Sequence, residues 1–230
     1  MLPLQADAEL IVPASFTGIW ETTNAPLTFL TFASPTANYL AGNAVRNSSV
    51  EQRNYFVFDL SAVTEDVAAA ELRLSLPNQG FFSTDPVETY RLYDVSTPID
   101  GSNGYLGGVN IPSSQGTQGS LQFDDVGTGV SFGSIDVSNS DNGSILSVHL
   151  NVDGISAINT NRGGLFAIGG AVTTLDLSRT TEQEFVFGFS GFQDIRQLVL
   201  SPIPEPEIYA MMLAGLGVLG FIGRPRRKAT

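Results

Sequence analysis

A period of two runs through most of this chain and constrains its fold more than any other feature. From Arg53 onward, short runs of β-branched and aromatic residues alternate with polar ones, and clusters of Gly, Asn, Asp, Ser and Pro close each run. That is the pattern of strands with one face buried and one in water. In Glu71-Leu72-Arg73-Leu74-Ser75-Leu76 the leucines fall on one side and the polar residues on the other. The pattern predicts strands over residues 54–60, 70–76, 88–95, 121–126, 145–152, 165–168, 184–189 and 195–200, with two more at 16–20 and 27–32. Helical signals are few. Asp153 is placed to cap a short turn through Ile155, Ala157 and Ile158, and residues 60–69 fit another around Ala62 and Val67. Turns this short cannot form a covering layer, so the strands have to bury their faces against one another. The expected fold is all-β, a two-sheet antiparallel jelly-roll-like sandwich over residues 9–200, with the six-glycine segment 101–119 as a long rim loop. No repeat or shift of composition divides the chain before Ser201.

Composition decides which chemistries such a body can carry. The 230 residues include 23 Asp and Glu, 11 Lys and Arg, one His and no Cys, for a formal charge of −12. Without cysteine there is no disulfide, thiol nucleophile, iron–sulfur cluster or zinc–thiolate site, and one imidazole cannot build a His-rich metal centre. The acidic balance argues against nucleic acid as a partner, because phosphate binding draws on clustered Lys and Arg. The charge is also unevenly placed. Arg224, Arg226, Arg227 and Lys228 lie in the last seven positions, whereas the chain up to Ile203 has seven Arg against 21 acidic residues.

Just before that basic end, Ile208 to Ile222 reads IYAMMLAGLGVLGFI, fifteen residues without a charge. As a helix it is ~22 Å long, short of the ~30 Å hydrocarbon core, and would span with the help of snorkelling Arg side chains and local thinning. Glu205 and Glu207 at its start and the Arg cluster at its end suit the helix dipole. The alternative is a buried core helix with a basic tail. Apolar residues on every face, and the proline-rich break ahead of them, favour a transmembrane helix over residues 208–223. Because positive residues stay inside, residues 224–230 are expected as a cytoplasmic tail and the body as extracytoplasmic.

Ser201-Pro202-Ile203-Pro204-Glu205-Pro206-Glu207 puts prolines at alternate positions, which imposes an extended backbone lacking amide donors there. Residues 201–207 are therefore expected as a linker that neither sheet nor helix absorbs, open to an enzyme at the membrane surface. Pro204-Glu205-Pro206, the glycine-bearing apolar stretch and the basic end together resemble the PEP-CTERM sorting signal of exported bacterial proteins. The match continues through Glu207-Ile208-Tyr209-Ala210-Met211-Met212-Leu213-Ala214-Gly215-Leu216-Gly217; Pro225 departs from it by interrupting the basic run, with the charge left intact. The resemblance implies recognition of Pro204, Glu205 and Pro206 by an exosortase, a membrane-embedded transpeptidase-like enzyme. Arg224, Arg226, Arg227 and Lys228 would be the cytoplasmic stop. It further implies processing near the motif and delivery to the cell surface or extracellular matrix. Export calls for a signal peptide. Residues 1–8 lack a charged region and a long apolar one, but the small Ala6 and Ala8 look like the end of a cleavage site, as in the remnant of a signal peptide beginning upstream of Met1.

In the middle of the chain, Arg53-Asn54-Tyr55-Phe56-Val57-Phe58-Asp59-Leu60-Ser61 followed by Ala69-Ala70-Glu71-Leu72-Arg73-Leu74 resembles the opening of DNRLRE-type β-sandwiches, some of which are carbohydrate-binding modules. Asp59 and Ser61 also account for the pattern simply as a turn. His149 is out of phase with Val148 and Leu150 and shares a solvated face with Ser147 and Asn151. With no second imidazole or thiol to complete a relay, no catalytic role is expected for it. Asp124-Asp125 is expected at the end of a strand, and Asp136 with Asp141 brackets the oxygen-rich Ser138-Asn139-Ser140. Asp136 and Asp141 are candidate calcium ligands, although no dense Asp-x-Asp loop is present and an ordinary turn explains them. Spacing cannot single out a glycosidase pair among the carboxylates. Tyr90, Tyr93, Phe81 and Phe82 come nearest to a sugar-stacking platform, while Phe185, Phe187 and Phe189 are expected in the core and Trp20 is the only tryptophan. The Asn47-Ser48-Ser49 and Asn142-Gly143-Ser144 sequons are of the kind that arise by chance.

These readings converge on an exported, non-enzymatic protein, structural or adhesive, at the cell surface or in the extracellular matrix. Its expected partners are the membrane and an exosortase-type enzyme, with extracellular polysaccharide a candidate third, and no cofactor is expected beyond the calcium its residues admit. The runner-up is a carbohydrate-binding module for extracellular polysaccharide, and the third reading a carboxylate-dependent glycosidase. An exposed aromatic row would favour sugar binding, a deep cleft with two facing carboxylates an enzyme, and a smooth acidic surface the structural role.

Overall fold

The computed structural model describes residues 9–22, 28–34, 38–102, 104, 106, 114–115, 117–188 and 195–203, with the backbone alone for 28–34, 114–115 and 117–118. The first half holds β1 (Leu10–Thr22), β2 (Thr28–Ser34), β3 (Ala41–Asn43), β4 (Gln52–Asp59), β5 (Val67–Ser75), β6 (Phe81–Phe82) and β7 (Val87–Asp94). Next come β8 (Ser114–Gln115), helix α1 (Thr117–Asp125), β9 (Ser131–Ser138), a 3-10 turn (Asn139–Asp141), β10 (Ile145–His149) and helix α2 (Val152–Thr160). β11 (Leu165–Val172), β12 (Glu184–Val186) and β13 (Arg196–Pro202) complete the order.

The protein is mostly antiparallel β with few helices, and its strands form one hydrogen-bonded sheet ordered β10-β5-β13-β1-β4-β11-β7-β9. β1 makes this possible by changing partners along its length. Leu10 to Pro13 pair with β13, and Ala14 to Glu21 pair with β4 across a register shift between Ala14 and Phe16. Such a bulge bends the strand and lets it pass from one limb of the sheet to the other. The sheet curls until β10 meets β9. Leucines 72, 74, 198 and 200 with Leu146 and Val148 of one limb then face Phe56, Phe58, Phe166, Ile168, Tyr90 and Leu92 of the other in a single core.

One polar network crosses this core. The buried Asn54 donates from Nδ2 to the Tyr39 carbonyl at 2.6 Å and accepts from the Tyr90 hydroxyl at 2.7 Å. Burial pushes that hydroxyl well above its ordinary value of 10, so it remains a donor. Gly170 lies against both groups, and a Cβ there would overlap the Tyr90 oxygen and Asn54 Oδ1. Each member satisfies another that would cost about 1–3 kcal/mol to leave unpaired.

β4 is buried on both faces, which explains why Asn54 to Phe58 reads as a continuous run rather than an alternation. Its outward residues Tyr55 and Val57 join Trp20 and Ala167 beneath Leu106, Phe123 and Val126. Gly18 and Gly169 flank Tyr55 in register, and a Cβ on Gly18 would strike the Tyr55 ring. The cover over this face comes from α1. The strand expected at 121–126 is therefore a helix: Gly119, Gln122, Phe123 and Val126 are buried, at helical spacing, whereas Leu121 is 63% exposed. A short apolar run carries too few turns to distinguish the two periods. The expectation that no helix covers the strands is corrected with it.

Other boundaries move for local reasons. Residues 60–69 form no helix; Val63 N–H closes a turn on the Leu60 carbonyl, and β5 starts at Val67, whose backbone exchanges two hydrogen bonds with Asn159 of α2. The strand expected at 145–152 stops at His149, because Asn151, not Asp153, caps α2 by accepting from the Asp153 and Gly154 amides at 3.0 Å. The strand expected at 184–189 stops at Val186. Phe187 takes a left-handed φ of 68°, so Val186 and Phe187 are both buried and Phe185 is only partly so, while Phe189 lies outside the described residues. β9, unforeseen, hides its pattern because a register shift beside Gly133 puts Phe132 out of phase with Ile135 and Val137. Of the strand expected at 27–32, Leu27 lies outside the described residues, as does most of segment 101–119.

Candidate functional site

Two places in this fold bear on function. The first is where the body ends. β13 lies inside the sheet between β5 and β1 and continues through Ser201 and Pro202, which pair with Ala69 and Val67. The sheet thus takes up residues that were expected in the linker. Proline is tolerated there because it closes the strand, at a register shift, where no ladder donor is required of it. Ile203 N–H still reaches the Asp66 carbonyl at 2.6 Å. Pro204, Glu205, Pro206, the 208–223 segment and Arg224, Arg226, Arg227 and Lys228 lie outside the described residues, as do residues 1–8. Among the described residues no helix is long and apolar enough to cross a membrane.

The second place is a cleft of about 670 Å³ between α2 and the segment that follows β7. α2 is held close to β9: a Cβ on Gly154 would stand 3.1 Å from Phe132, and Ile158 is fully buried. Its opposite stripe, Asp153, Ser156 and Thr160, therefore faces the cleft. The other wall is Asp94 to Ile99. Asp94 Oδ1 accepts from the Val130 amide at 2.6 Å, and Asp125 at the end of α1 accepts from the Ser96 hydroxyl at 2.7 Å and the Thr97 amide at 2.8 Å. Burial disfavours the Asp125 charge, but the hydrogen bonds from Thr97 and Ser96 outweigh it and hold the carboxyl below its ordinary value of 3.8. Phe132 and Phe166, 6.2 Å apart and inclined by 25°, border the space but are buried in the core, and Ile99, Val130 and Leu165 supply its accessible apolar lining. Among the described residues two carboxylates and several hydroxyls line the space and no cation does, so they have nothing to neutralise an anion.

The residues singled out in the sequence are scattered. Asp124 lies at the end of α1, not of a strand, 3.8 Å from Arg53, which also stacks over Phe123 at 4.0 Å. Asp136 accepts from the Thr89 hydroxyl at 2.7 Å, and Asp141 is turned onto the Ser138 amide and hydroxyl at 2.8 and 2.7 Å. No group of three or more His, Asp and Glu that could hold a metal ion occurs among the described residues. His149 is 83% exposed, with Nδ1 3.5 Å from Glu71. Of the four aromatics nearest to a platform, Tyr90, Tyr93 and Phe81 are buried and Phe82, 43% exposed, stacks on Phe185 at 5.6 Å. Trp20 is buried. Asn142 is engaged, accepting from the Phe81 amide and donating to Asn139, and Asn47 sits in a turn with a φ of 57°. In the sequence Asp153 gave only the signal of a helix cap, and Asp94, Ser156 and Thr160 gave none of a shared site, because the cleft joins segments some sixty residues apart.

Residues 202–228 match the family profile described as the PEP-CTERM protein-sorting motif. No curated protein matches the chain. The chain therefore carries this sorting signal, which implies export, sorting at the membrane by an exosortase-type partner, and localisation at the cell surface. The matched segment begins at Pro202, the residue that closes β13.

Proposed function

We propose that the chain is a non-catalytic surface protein whose β-body serves a structural or adhesive role outside the cell. Residues 208–223 hold it in the membrane until an exosortase-type enzyme processes it at Pro204-Glu205-Pro206. The observation that carries the reading is the junction: a sorting motif over residues 202–228 starts where an interior strand, paired with β5 on one side and β1 on the other, ends. Processing beyond Ile203 removes no residue of the described sheet, so the body is released intact. Leu10 of β1 pairs with Leu200 of β13, which puts both ends of the body at one pole, as suits a domain tethered from one side. The absence of cysteine and the surface position of the single His149, paired with Glu71, support a role without thiol or imidazole relay chemistry.

The test replaces Pro204, Glu205 and Pro206 with Ala in the native host and follows the chain by fractionation and mass. The unprocessed form is expected to accumulate in the membrane fraction. Release of mature protein at the normal rate would remove the sorting role.

A further inference from the structure

We infer that the cleft between α2 and residues 94–99 is a binding subsite for a non-acidic saccharide. The proposal deepens the adhesive reading above, on which it rests for access to extracellular sugar, by giving adhesion a site and a ligand class. At about 670 Å³ the space falls within the roughly 300–1,000 Å³ range of clefts that take small molecules. Its polar and apolar linings ask for different chemistry. The Asp153 and Ser156 side chains, from α2, have no hydrogen-bond partner among the described residues. Asp94, facing them from the end of β7, uses one oxygen on the Val130 amide and keeps further lone pairs. A carboxylate only accepts, so the natural partner of this pair is a molecule rich in hydroxyl or ammonium donors. Ser156 can answer in either sense. Another part of the lining, by contrast, is apolar: Val130 is exposed and Ile99 and Leu165 are half-buried, and they offer a surface to C–H groups. A pyranose has both characters, hydroxyls around its rim and C–H bonds on its face.

Charge then narrows the class. Among the described residues no Arg, Lys or His lines the cleft, so a uronate or a sulfated or phosphorylated sugar would bring a third negative charge beside Asp94 and Asp153 with nothing there to offset it. Neutral hexoses and amino sugars meet no such penalty. The walls are also set in advance. Asp125 pins Ser96 and Thr97, and Asn151 and Asn159 fix α2, so little order has to be created on binding.

The full chain in detergent micelles is titrated by calorimetry with neutral gluco-, manno- and galacto-hexasaccharides, a glucosamine hexamer, a uronate hexamer and an oligolysine peptide. Binding of at least one neutral or amino hexamer is expected, with the sugar recovered at its original length and the uronate silent. Asp153→Asn, an exposed isosteric change, should weaken that binding about tenfold, and Ser156→Trp, which fills the cleft from the helix surface, should abolish it while thermal unfolding stays unchanged. No binding by any neutral or amino hexamer overturns the proposal. So does equal binding of the uronate, or wild-type affinity in Ser156→Trp. Binding of oligolysine alone would make the cleft a basic-peptide site, and shortened sugar a hydrolytic one; either result overturns the proposal. Processing at Pro204-Glu205-Pro206 is measured in parallel on both variants. Normal processing without sugar binding refutes the cleft alone, and sugar binding with sorting unaffected by the Ala replacement refutes the sorting reading alone.

Discussion

Asp125 sits at the end of a helix that covers one face of the sheet, yet its carboxylate acts on the wall of the cleft, through Ser96 and Thr97. Its carboxyl is held below the ordinary value of 3.8 in the fold. A depressed folded value means that the ionised form is the one the fold favours, so this stabilisation is complete above pH 3.8 and is lost as pH falls through the lower folded value. Amide hydrogen exchange at Ser96 and Thr97 should be protected at pH 5, keep that protection at the ordinary carboxylate value of 3.8, and lose it only as pH falls through the lower folded value; in Asp125→Ala the protection should be low throughout. Protection that survives acid in the wild type would show that other contacts hold this wall. Little of this was legible in advance. The Asp124-Asp125 pair was visible as acidic, but neither its helix nor its partners 28 and 29 residues away could be read from neighbouring residues.

At the scale of elements, period two located the strands that bury one face, such as β5 and β10, and failed where a segment has two partners or none of regular spacing. α1 is the clearest failure, and it is open to a direct test. A strand over 121–126 would put Leu121 and Phe123 on one face; the helix buries Phe123 and leaves Leu121 exposed. Phe123→Ala should therefore cost about 3–4 kcal/mol in urea unfolding, and Leu121→Gln should stay within about 0.5 kcal/mol. Comparable losses from both would restore the strand. β12 failed for another reason. The left-handed Phe187 turns the backbone after Val186, and a single residue's φ leaves no trace in a hydrophobic pattern.

For the whole molecule, the decisive element is the last strand before the sorting motif. β13 joins β5 to β1 and buries Leu198, Val199 and Leu200, worth about 5–8 kcal/mol, which is as much as the net stability of many domains. A chain ending after Ile203 should melt cooperatively at the temperature of the full-length body, and one ending after Ile195 should show no cooperative transition by calorimetry. A cooperative melt in the shorter chain would mean that β13 is dispensable and that the junction has no special place in the fold. The sequence alone was enough for the class of the fold, for the segregation of basic residues at its end and for the sorting motif, because strand period, charge and a short contiguous recognition segment are each written in neighbouring residues. Tertiary structure decided that one sheet curls through a bulged β1, that α1 covers its second face and that Asp94 and Asp153 line one cleft. Those outcomes depend on which distant surfaces exclude water together, and no local pattern records that.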